Sequence, residues 1–123
     1  MVINLYEQKL RSINTNQLRD RLNRKDKPHL LIDVREVEAF DKGHIPGAIS
    51  LFDPEIMSLA KDMDKNMDII VYATGTPTHT KMCDDAARRF MDMKFKNVWS
   101  FEEGLEGWIN AGNRVDRSER RMT

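Results

Sequence analysis

The sequence predicts an α/β domain in which a mainly parallel sheet is covered by helices. Three observations predict it. Short apolar runs at residues 30–32 and 69–73 alternate with amphipathic stretches, the order expected when parallel strands are joined by helical crossovers. The runs are continuously apolar rather than alternating, as in strands buried on both faces. A chain of 123 residues with 40% hydrophobic content suits one domain with one real core.

Residues 1–12 are an N-terminal extension in which Leu5 and Leu10 hint at an amphipathic segment that packs across the sheet edge. Asn14 or Thr15 can cap a helix that runs to about Arg24, with Leu18 and Leu22 one turn apart. Residues 29–34 carry Leu-Leu-Ile and form the first clear strand. Residues 36–42 form a short helix with Val37 and Phe40 inward, and residues 48–51 a short strand. Asp53-Pro54 starts the next helix, because Asp accepts orphan N–H groups and Pro suits the first helical position; Ile56, Leu59 and Met63 belong to it. Residues 68–73 form a second buried strand. A helix over 80–93 and a strand over 97–101 follow, then a helix over 105–111 with Trp108 and Ile109 packed down and Gly112 at its stop. The tail, residues 114–123, mixes four arginines with Asp116 and Glu119 and reads as a solvated, frayed end. The eight methionines fall mostly at helical spacing and read as core filling.

Charge and cysteine usage narrow the function. Twenty basic residues balance twenty acidic ones, so no net field draws the chain to nucleic acid or an anionic membrane. No apolar run approaches the roughly 18 residues that span a bilayer, and the N-terminus lacks an apolar signal core; a cytoplasmic location is expected. One cysteine, Cys83, makes no internal disulfide, and three scattered histidines lack zinc-ligand spacing. Neither a metal nor another cofactor is expected.

Two stretches carry a family resemblance. Leu31-Ile32-Asp33-Val34-Arg35-Glu36, with Phe40 and then Gly43-His44-Ile45-Pro46-Gly47-Ala48-Ile49, is a strand, a short helix and a Gly/Pro turn. Asn97-Val98-Trp99 leading into Glu102-Glu103-Gly104-Leu105-Glu106-Gly107-Trp108 is a strand, a Gly turn and a Trp-bearing helix. In this order they resemble the two signatures of the rhodanese homology domain. The resemblance implies a three-layer fold with a sheet of four to five strands, a single domain over 1–123 with its core at about 13–115, and a tail over 116–123. It also makes Asp33 and Arg35 scaffold around the site. His44 reads as a turn histidine bonded to backbone, and Trp108 as core.

Rhodanese-type enzymes carry a cysteine at the end of the strand matching residues 68–73. The loop after it directs backbone N–H groups at the sulfur, favouring a thiolate and the anionic sulfur of a persulfide. On that template the cysteine position falls on Ala73, and a methyl group is no nucleophile. The anion-cradle loop would comprise Ala73, Thr74, Gly75, Thr76, Pro77, Thr78, His79 and Thr80. Its threonines read as caps and loop-amide partners rather than nucleophiles. Ala86 and Ala87 come thirteen and fourteen positions after Ala73, a longer loop than in the short sulfurtransferase form and roomy enough for a bulkier anion. Related phosphatases place an arginine at the loop's far end, where His79 or Thr80 stands here, so phosphatase activity is not expected. Cys83, Ala86, Ala87 and Phe90 share one helical face, which argues for a core thiol of raised pKa.

The resemblance therefore implies a rhodanese-like domain without sulfurtransferase activity, serving in anion, ligand or protein binding or in sulfur-related regulation. The alternative is a thiosulfate or persulfide sulfurtransferase whose cysteine is replaced by Ala73. A third reading has Cys83 carry sulfur after its helix rearranges. The expected partner is a small anion or sulfur donor at the loop, or a protein; the oligomeric state is left open.

Overall fold

The computed structural model describes residues 10–77 and 81–118. Among them the chain forms β1 (Arg11–Ser12), α1 (Thr15–Asn23), β2 (His29–Asp33), α2 (Val37–Lys42), β3 (Ile49–Ser50), α3 (Ile56–Asp62), β4 (Asp68–Tyr72), α4 (Lys81–Asp92), β5 (Asn97–Phe101) and α5 (Gly104–Asn110). The described strands make one parallel sheet in the order β1-β5-β4-β2-β3. The α/β class, parallel pairing and flanking helices are those expected.

Strand alternation sorts the core into two layers. Leu30, Ile32, Ile69 and Val71 face Ile56 and Ala60 of α3 and the Cys83, Ala86, Ala87 and Phe90 face of α4. Leu31, Ile70 and Tyr72 face the opposite way, against Leu18 of α1, Phe40 of α2, and Leu105 and Trp108 of α5. All five residues of β4 are buried, which is why the central strand reads as an unbroken apolar run after Asp68.

The helix signals have physical counterparts. Asn14 caps α1 in a reciprocal box: its side-chain oxygen accepts from Gln17 N–H at 2.8 Å and Gln17 Oε1 accepts from Asn14 N–H at 2.9 Å, an arrangement worth about 1 kcal/mol. Gly112, at φ +84°, follows α5 in the left-handed region. Met57, Met63, Met67, Met91 and Met93 are partly buried against the core, whereas Met82 is exposed.

Several expectations need correction. Asp53-Pro54 forms a turn before α3 rather than its first helical turn: Asp53 accepts Glu55 N–H on its side chain and Ile56 N–H on its carbonyl. Starting at Ile56, α3 turns Ala60 inward one turn later and leaves Leu59 49% exposed. In α5 the buried pair is Leu105 and Trp108, and Ile109 points out. The first part of the tail is not frayed. Trp108 Nε1–H donates to Arg114 O at 2.8 Å, and His44 and Asp116 exchange both backbone bonds at 2.9 Å. The buried indole needs an acceptor, and residues 113–116 supply it. Within the N-terminal extension, β1 pairs with β5 at the sheet edge, with the Arg11 guanidinium 5.2 Å from the Trp99 ring centre. No described helix is long and apolar enough to cross a membrane.

Because all described strands are parallel, their carboxyl ends gather at one edge. From β2 the chain winds outward to β3, then returns to place β4 on the other side of β2. In open α/β sheets ligands commonly bind outside the carboxyl ends of the two strands at such a reversal, here those ending in Asp33 and Tyr72.

Candidate functional site at the carboxyl ends of β2 and β4

Strands β2 and β4 are locked together at their ends by Val34 N–H donating to Tyr72 O at 3.0 Å. Tyr72 is fully buried, and its hydroxyl accepts from Ile45 N–H at 3.1 Å. Burial first, and the neighbouring Asp33 charge second, push the phenol's pKa well above its ordinary value. Tyr72 thus acts as a neutral pin between the sheet and the Gly/Pro turn.

Asp33 and Arg35 come together as the sequence suggested. The carboxylate of Asp33 is inaccessible to solvent. It accepts from Arg35 N–H at 2.9 Å, from Nε and, at 2.8 Å, from Nη2. Nη2 also donates to Gly43 O at 2.6 Å. A bidentate fork closes here over two residues and ties the start of α2 to its end. His44 is buried with Nδ1 2.8 Å from Phe40 O and its ring stacked on Phe40 at 3.9 Å, as a structural turn histidine should be.

Ala73 follows β4 and is 2% exposed; its methyl packs with the α4 layer. Its carbonyl accepts from Leu105 N–H at 3.0 Å, and that of Thr74 accepts from Glu106 N–H at 2.9 Å. The first turn of α5 is thereby satisfied by the loop. Two glycines allow this approach. Gly75, at φ +134°, lies where a Cβ would run into the Glu103 carbonyl, and Gly104, at φ +62°, where a Cβ would strike the Thr74–Gly75 peptide. Thr74 is half-buried, and Thr76 and Pro77 are exposed. Thr78, His79 and Thr80, also expected in the loop, lie outside the described residues.

The family model of the rhodanese-like domain matches residues 14–111. The chain belongs to this family. It is 34% identical over 86 residues to an HTH-type transcriptional regulator of Mycobacterium tuberculosis, covering 70% of this chain and 37% of that protein. It is 30% identical over 81 residues to the thiosulfate sulfurtransferase GlpE of Pseudomonas syringae, covering 64% of this chain and 71% of that one. Among solved structures, the thiosulfate sulfurtransferase from Pseudomonas aeruginosa superposes with a TM-score of 0.72 at 27% identity, over 89% of this chain and 20% of that one. The chain thus spans little more than a third of the regulator's length.

Within this rhodanese-like domain Cys83 lies in the core, fully buried on α4 with its sulfur 4.0 Å from Ser100 Oγ. Burial pushes the thiol up to about 12, against the smaller opposing effect of the Ser100 contact. In this packing burial disfavours the thiolate of Cys83. Among the described residues no group of three or more His, Cys, Asp or Glu side chains is placed to hold a metal ion.

The sequence reading gave no role to Glu103, yet its carboxylate receives Thr15 N–H at 3.3 Å and Thr15 Oγ1–H at 2.7 Å. One acidic side chain thereby joins the start of α1 to the start of α5, directly behind Gly75. An acid immediately before a helix-opening glycine was the available signal; its partner, 88 positions away, was not. The cluster of Arg21, Lys27 and Asp68 at the opposite end of the sheet was also missed.

Proposed function

We propose that this rhodanese-like domain is silent in sulfur transfer and works as a binding module, taking a small anion, a sulfur donor or a protein partner at the loop after β4. The reading rests on Ala73 at the end of β4, where the resemblance requires a cysteine, together with the burial of the single thiol at Cys83. A nucleophilic sulfur is the whole reactive group in persulfide chemistry, and neither residue presents one. The regulator relative fits this reading: about a third of a protein named for transcriptional control aligns with the domain. A bound sulfur species or partner would then modulate another activity rather than be turned over.

The similarity to a thiosulfate sulfurtransferase favours a second reading, a sulfurtransferase scaffold in which Ala73 replaces the cysteine. Cyanide-dependent thiosulfate turnover, read as thiocyanate, separates the possibilities when the protein is compared with its Ala73→Cys variant. No turnover by the protein itself is expected. Turnover by the variant alone would favour the sulfurtransferase scaffold, and inactivity of both would favour the binding module. Turnover by the unsubstituted protein would sink the silent reading.

A further inference from the structure

We propose that the groove between α2 and the β3–α3 turn docks an extended segment of a partner protein in which a large apolar side chain is flanked by lysine or arginine. The groove encloses about 390 Å³ at the outer edge of the sheet. Val37 and Phe40 of α2, Ala48 and Ile49 at β3, and Phe52 and Pro54 of the turn that follows line it. A space of this size and lining suits one large apolar side chain. Phe52 is 49% exposed, so an aromatic face remains in water beside a concavity that a partner can complete.

Charge identifies the partner's chemistry. The whole chain is neutral, but residues 36–56 hold five acids, Glu36, Glu38, Asp41, Asp53 and Glu55, against the single base Lys42. Glu36, Glu38, Asp53 and Glu55 are exposed, and among the described residues none of these four is in an ion pair. They fall into two groups along the chain, Glu36 and Glu38 on either side of the lining residue Val37, and Asp53 and Glu55 on either side of the lining residue Pro54. An apolar anchor with basic residues on both sides meets both groups, whereas a single small cation meets one. An anionic membrane surface would be repelled. The groove lies beyond β3 and does not depend on what occupies the loop at Ala73.

The test uses a fluorescein-labelled peptide with a central Leu-Trp pair flanked on each side by two arginines. Two controls accompany it, one with the arginines replaced by glutamate and one with Leu-Trp replaced by serines. Anisotropy at low salt should show saturable binding of the first peptide only, weakening as salt rises. Amide shifts should cluster at Val37, Ala48, Ile49 and Phe52. Affinity should fall at least about tenfold, or 1.4 kcal/mol, in Phe52→Ser and in the Asp53→Lys/Glu55→Lys double variant. Leu59→Ser, which removes an equally exposed apolar side chain outside the groove, should leave affinity unchanged. The proposal is overturned by absence of saturable binding, by shifts centred elsewhere, by full affinity in Phe52→Ser, or by equal loss in Leu59→Ser. Self-association that disappears in Phe52→Ser would also overturn it, by assigning the groove to a second copy of this chain.

Discussion

The two ends of the sheet each bury a carboxylate, but they secure it differently. At the amino end, Asp68 opens β4 and is held by Arg21 Nε at 2.5 Å and Lys27 Nζ at 3.0 Å. Arg21 also donates to the carbonyls of Lys27 and Pro28. At the carboxyl end, Asp33 closes β2 and, among the described residues, its charge is met by Arg35 alone. The first cluster joins groups 47 positions apart, the second groups two apart. The amino end therefore acts as a redundant clasp between α1 and the central strand, while the carboxyl end shapes loops around Ala73 with one cation and no reserve.

The largest expected effect follows from that lack of reserve. Arg35→Ala would leave a fully buried carboxylate without a counter-charge, costing about 3–5 kcal/mol, measured as the loss of unfolding free energy in urea. Arg21→Ala should cost less, because Lys27 still faces Asp68; a loss equal to that of Arg35→Ala would break the comparison. Burial alone would raise the Asp68 pKa, but hydrogen bonds and charge from Arg21 and Lys27 hold it below its ordinary value. Since the folded pKa is depressed, the stabilisation is complete above the unfolded carboxylate value of about 3.9 and is lost as pH falls through the folded value. Acid titrations of stability should therefore show the protein and Asp68→Asn converging below about pH 4.

Next in size is the loop contact. Gly104→Ala adds a Cβ at φ +62° against the Thr74–Gly75 peptide and should cost about 1–3 kcal/mol. Amide exchange should quicken at Leu105 and Glu106, whose N–H groups donate to the loop, while the amino-end clasp stays protected. A uniform change across both ends would mean that the loop is coupled to the whole sheet.

What was legible in the sequence follows the reach of each signal. The strands β2, β4 and β5 and the inward face of α4 are encoded by local periodicity, so Ile69 to Tyr72 and Cys83 to Phe90 could be read directly. Asp33 and Arg35 lie two residues apart and announce themselves as a pair. The clasp was invisible because Arg21, Lys27 and Asp68 meet only through folding, and each alone looks like a surface charge. The short strand β1 has exposed side chains and is fixed by backbone pairing, which leaves no periodic trace. Leu59 and Ile109 misled because a short helix has too few turns for spacing to fix which flank faces the core. At the site, Ala73 could be singled out only by resemblance; its contacts with the start of α5 depend on Gly75 and Gly104 meeting across the fold.

Lys27→Ala is expected to have the smallest effect and tests redundancy directly. The Lys27 side chain is 40% exposed, whereas Arg21 and Asp68 are each 9% exposed. Its contact with Asp68 is therefore screened by water and salt, and removing it should cost about 0–1 kcal/mol. In an Arg21→Ala background the same substitution removes the second of the two cations that pair with Asp68 among the described residues, so its cost should rise well above that of the single change. A double-mutant cycle at two salt concentrations measures both quantities. Strict additivity would mean that Arg21 and Lys27 do not share the carboxylate; strong coupling, with the cost of the Lys27 single substitution shrinking as salt rises, would support a reserve at the amino end.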